Sequence, residues 1–316
     1  MRIGVDIMGG DFMPAAPVEG AILAQQVLKN EVELVLIGDR DLIVQELEKH
    51  NQDPSAFEIV HTDQYIGGEE SPTKALAAKP QSSISMGLQM VKQKHLQGFV
   101  SAGNTGAVLV GAIMGLGRIE GVQRPTIGVL FSNLHEKPTI FCDVGANVDC
   151  KPEVLRDFGI LGSVYMETVW GIENPKVALL NIGEEANKGP QAVRAAYEMM
   201  EKSPDLNFVG NVEGRDIYAG YADVIVTDGY TGNVVLKFAE SLYGIFKARM
   251  DGDESIETFN FERYGGVPIL GIEGIALIGH GISTGPAIAQ MIKSAAEAVK
   301  SRLVEKTQSA FEALKH

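Results

Sequence analysis

Residues 98–117 read GFVSAGNTGAVLVGAIMGLG, and this stretch decides the fold class. Its first four residues are typical of a short buried strand, and the run from Asn104 onward is typical of a buried helix. A membrane span is the alternative, because 99–117 carries no charge, but Ser101, Thr105 and five glycines argue against it. The stretch therefore predicts a strand, a glycine-bearing turn and a helix.

Short apolar runs alternate with longer helical patterns along almost the whole chain. The predicted strands are 2–7, 33–37, 57–61, 98–101, 125–131, 138–143, 176–182, 206–211, 223–227 and 275–279. The predicted helices are 14–29, 40–49, 82–95, 104–117, 152–170, 190–202, 231–250 and 284–306. This alternation predicts the α/β class, a mostly parallel sheet between two layers of helices. Strands 125–131 and 138–143 are joined by a short polar loop and predict a hairpin.

No repeat or low-complexity linker marks a domain boundary in the sequence. We therefore predict a single α/β domain over residues 1–316. Residues 248–263 are acidic and interrupt the pattern, which predicts an exposed connection within that domain.

Composition and charge exclude some classes of partner. The chain has 316 residues, 45% of them hydrophobic, and a formal net charge of -14 at pH 7. Such a surface repels nucleic acid, and it also repels an acidic protein unless basic residues cluster locally. Two cysteines, Cys142 and Cys150, form no metal or redox motif. No signal-peptide pattern opens the sequence, so we expect a cytoplasmic protein.

Polar, glycine-rich segments follow six of the predicted strands. They are residues 8–11, 102–106, 144–149, 183–189, 228–233 and 280–283. Ligands of open parallel sheets bind beyond the carboxyl ends of the strands, so these loops predict one site on one rim. Three of the loops open directly into a helix, whose N-terminal N–H groups bind anions. A phosphate or a carboxylate is the expected ligand.

Each candidate residue also has a purely structural interpretation. Asn104, Thr105 and Thr231 are also typical helix N-caps. Asp11, Asp143, Asp149 and Asp228 are metal ligands or, as we prefer, acceptors for turn N–H groups. His280 is either a functional or a hydrogen-bonded core histidine. No dinucleotide, P-loop, nucleophile-elbow or H-E-x-x-H motif occurs in the sequence. The residues alone predict an anion-binding α/β protein, and they do not name a substrate.

Longer motifs at the same loops carry a family resemblance. They read VDIMGGD at 5–11, SAGNTGA at 101–107, DVGANVD at 143–149, NIGEE at 181–185, GNVEGRD at 210–216 and TDGYTGNV at 227–234. These segments resemble the PlsX family of phosphate acyltransferases, and the likeness resumes at Tyr264-Gly265-Gly266.

The resemblance implies a three-layer fold akin to isopropylmalate dehydrogenase and phosphotransacetylase. It implies a homodimer, no metal and no nucleotide cofactor. The implied reaction moves a fatty acyl group from acyl carrier protein to inorganic phosphate, and the acyl phosphate then serves glycerol 3-phosphate acylation in phospholipid synthesis. Two features depart from the family: residues 73–83 carry only two lysines, and 248–263 is short and acidic. The second departure argues against strong membrane attachment and leaves open a weak peripheral association with the membrane or a downstream acyltransferase.

The implied chemistry needs positioning and charge stabilisation rather than a catalytic triad. We assign Lys188 to the phosphate or the developing oxyanion and Asn233 as a second donor, and treat both as catalytic. Backbone N–H groups of 103–106 and 229–232 are expected to cradle phosphate. The predicted substrate-binding residues are Asp11, Gly103, Asn104, Thr105, Gly106, Asn147, Gly229, Thr231, Gly232 and His280.

An acidic carrier protein requires a basic docking patch on this acidic chain. The candidates are Arg118, Arg124, Lys237, Lys247, Arg249 and Arg263, with Lys74 and Lys79 as less favoured additions. Two rival activities remain open at this point: phosphotransacetylase-like transfer between phosphate and acyl-coenzyme A, and an isopropylmalate-type dehydrogenase. A non-catalytic scaffold for the carrier protein is a third alternative.

Overall fold

The computed structural model describes residues 1–250, 256 and 259–314. Its strands are β1 (Arg2–Asp6), β2 (Glu33–Gly38), β3 (Glu58–His61), β4 (Gly98–Ser101), β5 (Thr126–Ser132), β6 (Pro138–Cys142), β7 (Lys176–Leu180), β8 (Asn207–Val212), β9 (Val224–Val226), β10 (Val267–Leu270) and β11 (Ile275–Ile278). Its helices are α1 (Ala15–Leu28), α2 (Arg40–Lys49), α3 (Pro72–Ala78), α4 (Ser83–Lys92), α5 (Thr105–Gly115), α6 (Pro152–Trp170), α7 (Gln191–Glu201), α8 (Gly229–Arg249), α9 (Gly285–Lys300) and α10 (Leu303–Ala313).

The chain forms two compact units. The first comprises Met1–Arg118 and Tyr264–Val304, and the second comprises Ile119–Arg263 and Glu305–His316. Each unit has its own strands and helices and is described by itself below. The single domain over 1–316 stays a prediction.

The first unit is built on strands in the order β3-β2-β1-β4-β11-β10. All neighbours are parallel except β10, which runs antiparallel to β11. The helices α1 and α9 pack on each other and on β1, while α4 packs on β1, β2 and β4 and also contacts α5. Small residues permit this packing: a Cβ on Gly87 of α4 would collide with the ring of Phe99 in β4. The strands are buried between helices, which accounts for their nearly continuous apolar runs.

The second unit has the strand order β5-β6-β9-β7-β8. The pairs β6–β9, β9–β7 and β7–β8 are parallel, and β5 runs antiparallel to β6 with Gly128 opposite Cys142. The predicted hairpin is therefore confirmed. Helix α6 packs on β6, β7, β9 and α7. As in the first unit, alternating strands and helices produce the predicted sheet of mostly parallel strands.

The structure differs from the predicted elements in three places. The strand β10 and the helix α3 were not predicted, since each is short and each contains a proline, Pro268 and Pro72. A proline makes a central strand less expected, and a helix of only seven residues shows little periodicity. The predicted helix 284–306 is wrong as one element, because Arg302 has a φ of 60° and separates α9 from α10.

The predicted exposed connection at 248–263 falls in large part on residues outside the described ones, namely 251–255 and 257–258. Among its described residues, Ile256 is buried, and the ring of Phe259 lies 5.4 Å from that of Tyr218. The segment is therefore not exposed throughout. Among the helices of the described residues, none has both the length and the apolar composition needed to cross a membrane.

Candidate functional site

Three of the predicted loops meet at one edge of the second unit. The strands β6, β9 and β7 are parallel neighbours, and the segments 143–149, 227–233 and 181–189 follow their carboxyl ends. This edge carries Asn147, Asn233 and Lys188, since each belongs to one of these segments. The strand order thus gathers residues that are up to 86 positions apart in sequence (233 − 147 = 86).

A buried carboxylate, Asp143, organises the first of these loops. Its Oδ1 accepts hydrogen bonds from Thr126 Oγ1, Ile127 N and Val144 N at 2.9–3.0 Å. Its Oδ2 accepts from Asn147 N at 2.6 Å and from Asn147 Nδ2 at 3.1 Å. Burial raises the pKa of Asp143, and these donors oppose that shift. The turn interpretation is therefore confirmed for Asp143, and the half-buried side chain of Asn147 is bonded to it.

Helix α8 starts in close contact with this loop. Gly229 N donates to Asn147 O at 2.7 Å, and a Cβ on Gly229 would lie 2.5 Å from Asp143 Oδ2. A Cβ on Gly232 would collide with the carbonyl oxygen of Asp143. The two glycines are thus required by the approach of helix to loop.

Most N–H groups at the start of α8 already have partners. Asp228 is the N-cap: its Oδ1 accepts from Thr231 N and its Oδ2 from Thr231 Oγ1, both at 2.8 Å. Gly232 N donates to Asp228 O at 2.9 Å. Of the four N–H groups predicted to cradle phosphate at 229–232, only that of Tyr230 has no partner within the described residues. Thr231 completes the cap, so neither its N–H nor its hydroxyl hydrogen is available to phosphate in this arrangement.

Lys188 and Asn233 differ from these anchored residues because both are exposed. The side chain of Asn233 lies beside Gly145, where an added Cβ would be 3.6 Å from its Oδ1. Within the described part of the chain, neither side chain has a hydrogen bond or an ion pair. Their assignment to phosphate or the oxyanion stays a prediction.

Two asparagines that sequence reasoning did not single out hold the Lys188 loop in place. Asn181 Nδ2 donates to Lys188 O at 3.1 Å, and Asn211 Nδ2 donates to Glu185 O at 3.0 Å. Gly189, with a φ of +84°, turns the chain against Asn181. Both asparagines lie inside the long motifs at 181–185 and 210–216, so those motifs contained the signal.

The first unit gathers the other three loops. Its strands β1, β4 and β11 are parallel neighbours, followed by 8–11, 102–106 and 279–283. Asp11 N donates to Gly281 O at 2.7 Å, and a Cβ on Gly9 would lie 2.7 Å from Gly103 N. Asp11 is exposed, whereas His280 is half-buried and its Nδ1 accepts from Ile282 N at 3.4 Å.

A second buried carboxylate, Asp6, lies beneath these loops. Its Oδ1 accepts from Met8 N at 3.0 Å, and its Oδ2 accepts from Ser101 Oγ at 2.6 Å. Ser101 Oγ in turn accepts from Gly103 N at 3.0 Å. Burial raises the pKa of Asp6, against the opposing effect of these donors. The Asp6–Ser101 pair thereby fixes the turn that leads to α5.

Asn104 anchors a neighbouring loop and is not a free donor. Its Nδ2 donates to the carbonyls of Gly67, Gly68 and Glu70 at 2.9–3.0 Å, while Oδ1 caps Ala107 N at 2.9 Å. The residue is 7% exposed. The N-cap interpretation is confirmed for Asn104. The N–H groups of Thr105 and Gly106 have no partner among the described residues and are available to an anion.

The basic candidates are spread over both units. Arg118, Lys74 and Lys79 belong to the first, and Arg124, Lys237, Lys247, Arg249 and Arg263 belong to the second. Several make local contacts: Lys237 Nζ lies 2.8 Å from Glu240 Oε2, and Lys79 Nζ lies 2.6 Å from Glu70 Oε1. Surface pairs of this kind contribute little to stability. Lys247 and Arg249 both belong to the last turn of α8, so two basic residues are close together there.

Solved structures of other α/β proteins share the fold of this chain. A phosphotransacetylase from Streptococcus pyogenes superposes with a TM-score of 0.67 at 20% identity, covering 95% of this chain and 94% of that one. A branched-chain phosphotransacylase from Enterococcus faecalis V583 gives 0.61 at 13% identity, covering 95% and 99%. At these identities the likeness shows the fold alone. The predicted three-layer fold akin to phosphotransacetylase is confirmed.

Sequence comparison then gives the family. Residues 1–306 match the family described as "Fatty acid synthesis protein". A phosphate acyltransferase from Syntrophomonas wolfei is 40% identical over 98% of each chain, and one from Dictyoglomus turgidum is 39% identical over 97% of this chain and 96% of the relative. The chain belongs to this family, the PlsX family of the motif resemblance, and it is an acyltransferase.

Proposed function

We propose that the protein transfers a fatty acyl group from acyl carrier protein to inorganic phosphate, yielding an acyl phosphate for glycerol 3-phosphate acylation in phospholipid synthesis. The observation that carries this proposal is an exposed lysine, Lys188, on a loop held by Asn181 and Asn211 beside the loop of Asn233. The relatives named phosphate acyltransferase support phosphate as the acceptor.

The proposed reaction is a single acyl transfer. A phosphate oxygen attacks the thioester carbonyl carbon, and a tetrahedral oxyanion forms. The C–S bond then breaks, the thiolate leaves with the electron pair, and solvent protonates it. Phosphate has its second pKa near neutrality, and thiols have one of about 8.5, so neither a strong base nor a strong acid is required.

Electrostatic stabilisation is the remaining requirement. In the proposal, Lys188 neutralises phosphate or the oxyanion and Asn233 donates a second hydrogen bond. In the first unit, the N–H groups of Thr105 and Gly106 have no partner among the described residues, which supports a role for the 103–106 loop in binding an anion. Asp11 and His280 stay predicted substrate-binding residues. Asn104, Asn147 and Thr231 serve in this proposal by shaping the loops, because their side chains bond within the protein.

The protein's partners belong to the proposal too. The carrier protein is expected to dock at basic residues near the end of α8, Lys247 and Arg249. A homodimer is implied by the family, and the exposed apolar side chains Val234, Phe238 and Ile245 of α8 support a contact with a second copy. A cytoplasmic location stays a prediction.

The decisive experiment traps the product as a hydroxamate. Purified protein is incubated with inorganic phosphate and either palmitoyl-carrier protein or palmitoyl-coenzyme A, and hydroxylamine converts any acyl phosphate to hydroxamate. A phosphate-dependent signal with the carrier-protein donor is expected. A signal with coenzyme A alone would establish the phosphotransacetylase alternative. No signal with either donor, together with NAD reduction on a hydroxy acid, would favour the dehydrogenase.

A further inference from the structure

An apolar groove lies on the first unit between helices α3, α4 and α5. Its volume is about 520 Å³, within the range of about 300–1,000 Å³ that is usual for small-molecule sites. The apolar walls are Leu76 and Ala77 of α3, Leu88 of α4, and Val110 and Met114 of α5. Met114 is 75% exposed. An apolar side chain left so open beside a groove of this size is typical of a binding surface.

One glycine of α5, Gly115, leaves part of the groove open. Gly111 and Gly115 are one turn apart and both line it. A Cβ on Gly111 would lie 2.8 Å from Leu88 Cδ1, whereas a Cβ on Gly115 would meet nothing within 4 Å. Glycine inside a helix is unfavourable relative to alanine. The helix therefore gives up some stability where side chains would otherwise fill the space.

The groove begins one residue away from a contact between α3 and the loop that begins α5. Pro72, the first residue of α3, packs against Gly106, since a Cβ there would lie 2.5 Å from Pro72 Cγ. The next residue, Thr73, already lines the groove. A helix rises about 1.5 Å per residue, which puts Gly111 and Gly115 about 9 Å and about 15 Å from Thr105 along the axis. The groove thus runs away from the available N–H groups of Thr105 and Gly106.

We propose that this groove holds the hydrocarbon tail of the acyl group being transferred. The inference rests on the proposed function and adds the subsite for its substrate's tail. A tail whose reactive end lies at the 103–106 loop would follow α5 into an apolar channel, and each methylene removed from water would favour binding. A long tail would reach Gly115, whereas a short one would end before it.

The test fills the groove and varies the tail. Leucine at Gly115 has room for its Cβ and extends into the space, so Gly115→Leu is compared with the wild type on palmitoyl and butyryl thioesters of whichever carrier supports turnover. We expect kcat/KM for palmitoyl transfer to fall roughly tenfold or more, as for losing a few buried methylenes, with a much smaller fall for butyryl. Gln26→Leu adds a leucine at an exposed position of helix α1, serves as the control and should keep both rates.

The other possible outcomes support or contradict the proposed tail site as follows. Equal losses with both tails would overturn the assignment, and an equal rise of KM for both donors would assign the groove to the carrier protein instead. Binding of the fluorescent fatty acid cis-parinaric acid gives a second readout: Gly115→Leu should weaken it and Gln26→Leu should not. If the wild type forms no acyl phosphate from any donor, the proposed function fails. If it does and Gly115→Leu retains palmitoyl transfer, only the tail site fails.

Discussion

At the scale of single residues, some candidate side chains are hydrogen-bonded within the protein and others are exposed. The side chains of Asp143, Asp6, Asn104 and Asn147 form hydrogen bonds within the protein. Lys188, by contrast, is exposed and held only through its backbone. Its substitution should therefore affect chemistry and leave the fold unchanged.

Lys188→Ala should lower kcat by a factor of about 100 to 1,000, the usual cost of removing one preorganised charge or donor from a transition state. Hydroxamate formation at saturating phosphate measures the rate. The thermal melt should match that of the wild type, because the side chain has no partner in the described part of the chain. Turnover close to the wild type would remove Lys188 from the mechanism.

Asn211→Ala tests whether the Lys188 loop needs its anchor. The side chain is 8% exposed, its Nδ2 supports Glu185 O, and its Oδ1 has no partner within the described residues. Truncation removes a hydrogen bond and also an unpaired buried oxygen, so the free energy of unfolding should change by no more than about 1 kcal/mol.

In the same variant, kcat should nevertheless fall, since Lys188 would lose its position. Asn207→Ala is the matched control: it lies at the opposite end of β8 and donates to Asn174 O at 2.9 Å. Equal kcat values for the two variants would show that the anchor has no catalytic consequence.

Asp6→Asn addresses a buried carboxyl group through the pH dependence of stability. Burial raises the pKa of Asp6 above its value in the unfolded chain. Its proton-linked stabilisation is therefore complete below the unfolded pKa of about 3.9 and is lost as pH rises through the folded pKa. Asparagine does not titrate, so the unfolding free energy of wild type minus variant should decrease with rising pH in urea titrations. A difference that rises or stays flat contradicts this.

At the scale of elements, the contact between α8 and the loop after β6 requires glycine at position 232. Gly232→Ala would force a Cβ into the carbonyl oxygen of Asp143. We expect a loss of about 1–3 kcal/mol in unfolding free energy, the usual effect of overpacking. Gly244→Ala, on the same helix in open space, should instead stabilise by up to about 1 kcal/mol. Urea unfolding of both variants checks the difference, and similar values would refute the contact.

The sequence predicted the helix of this contact but not its hydrogen bonds. Periodicity predicted α8 as 231–250, and the helix occupies Gly229–Arg249 because Asp228, not Thr231, is its cap. The strand order brought the predicted loops to common edges, as parallel topology requires. Local patterns did not show which N–H groups would already be bonded, because the partner of Gly229, Asn147, is distant in sequence. Short elements such as α3 and β10 lacked a periodic signal altogether.

At the scale of the whole molecule, net charge governs any encounter with an acidic carrier protein. The chain carries a formal charge of -14, so attraction must come from local basic residues. Reversing Lys237, Lys247 and Arg249 to glutamate should slow association and weaken its dependence on salt in stopped-flow experiments. Reversing Lys29, Lys49 and Lys300 of the first unit changes the net charge equally and serves as the control. Equal effects of the two triple variants would place docking elsewhere.

The first unit is assembled from two segments of the chain, and this has a consequence for synthesis on the ribosome. Strand β4 ends at Ser101, but its neighbour β11 begins only at Ile275. At about 5–20 residues per second, β4 waits about 9–35 s for that neighbour while one edge of it stays unpaired. Open edges invite pairing with other chains. We therefore expect the nascent protein to aggregate more readily during the interval in which the second unit is being made.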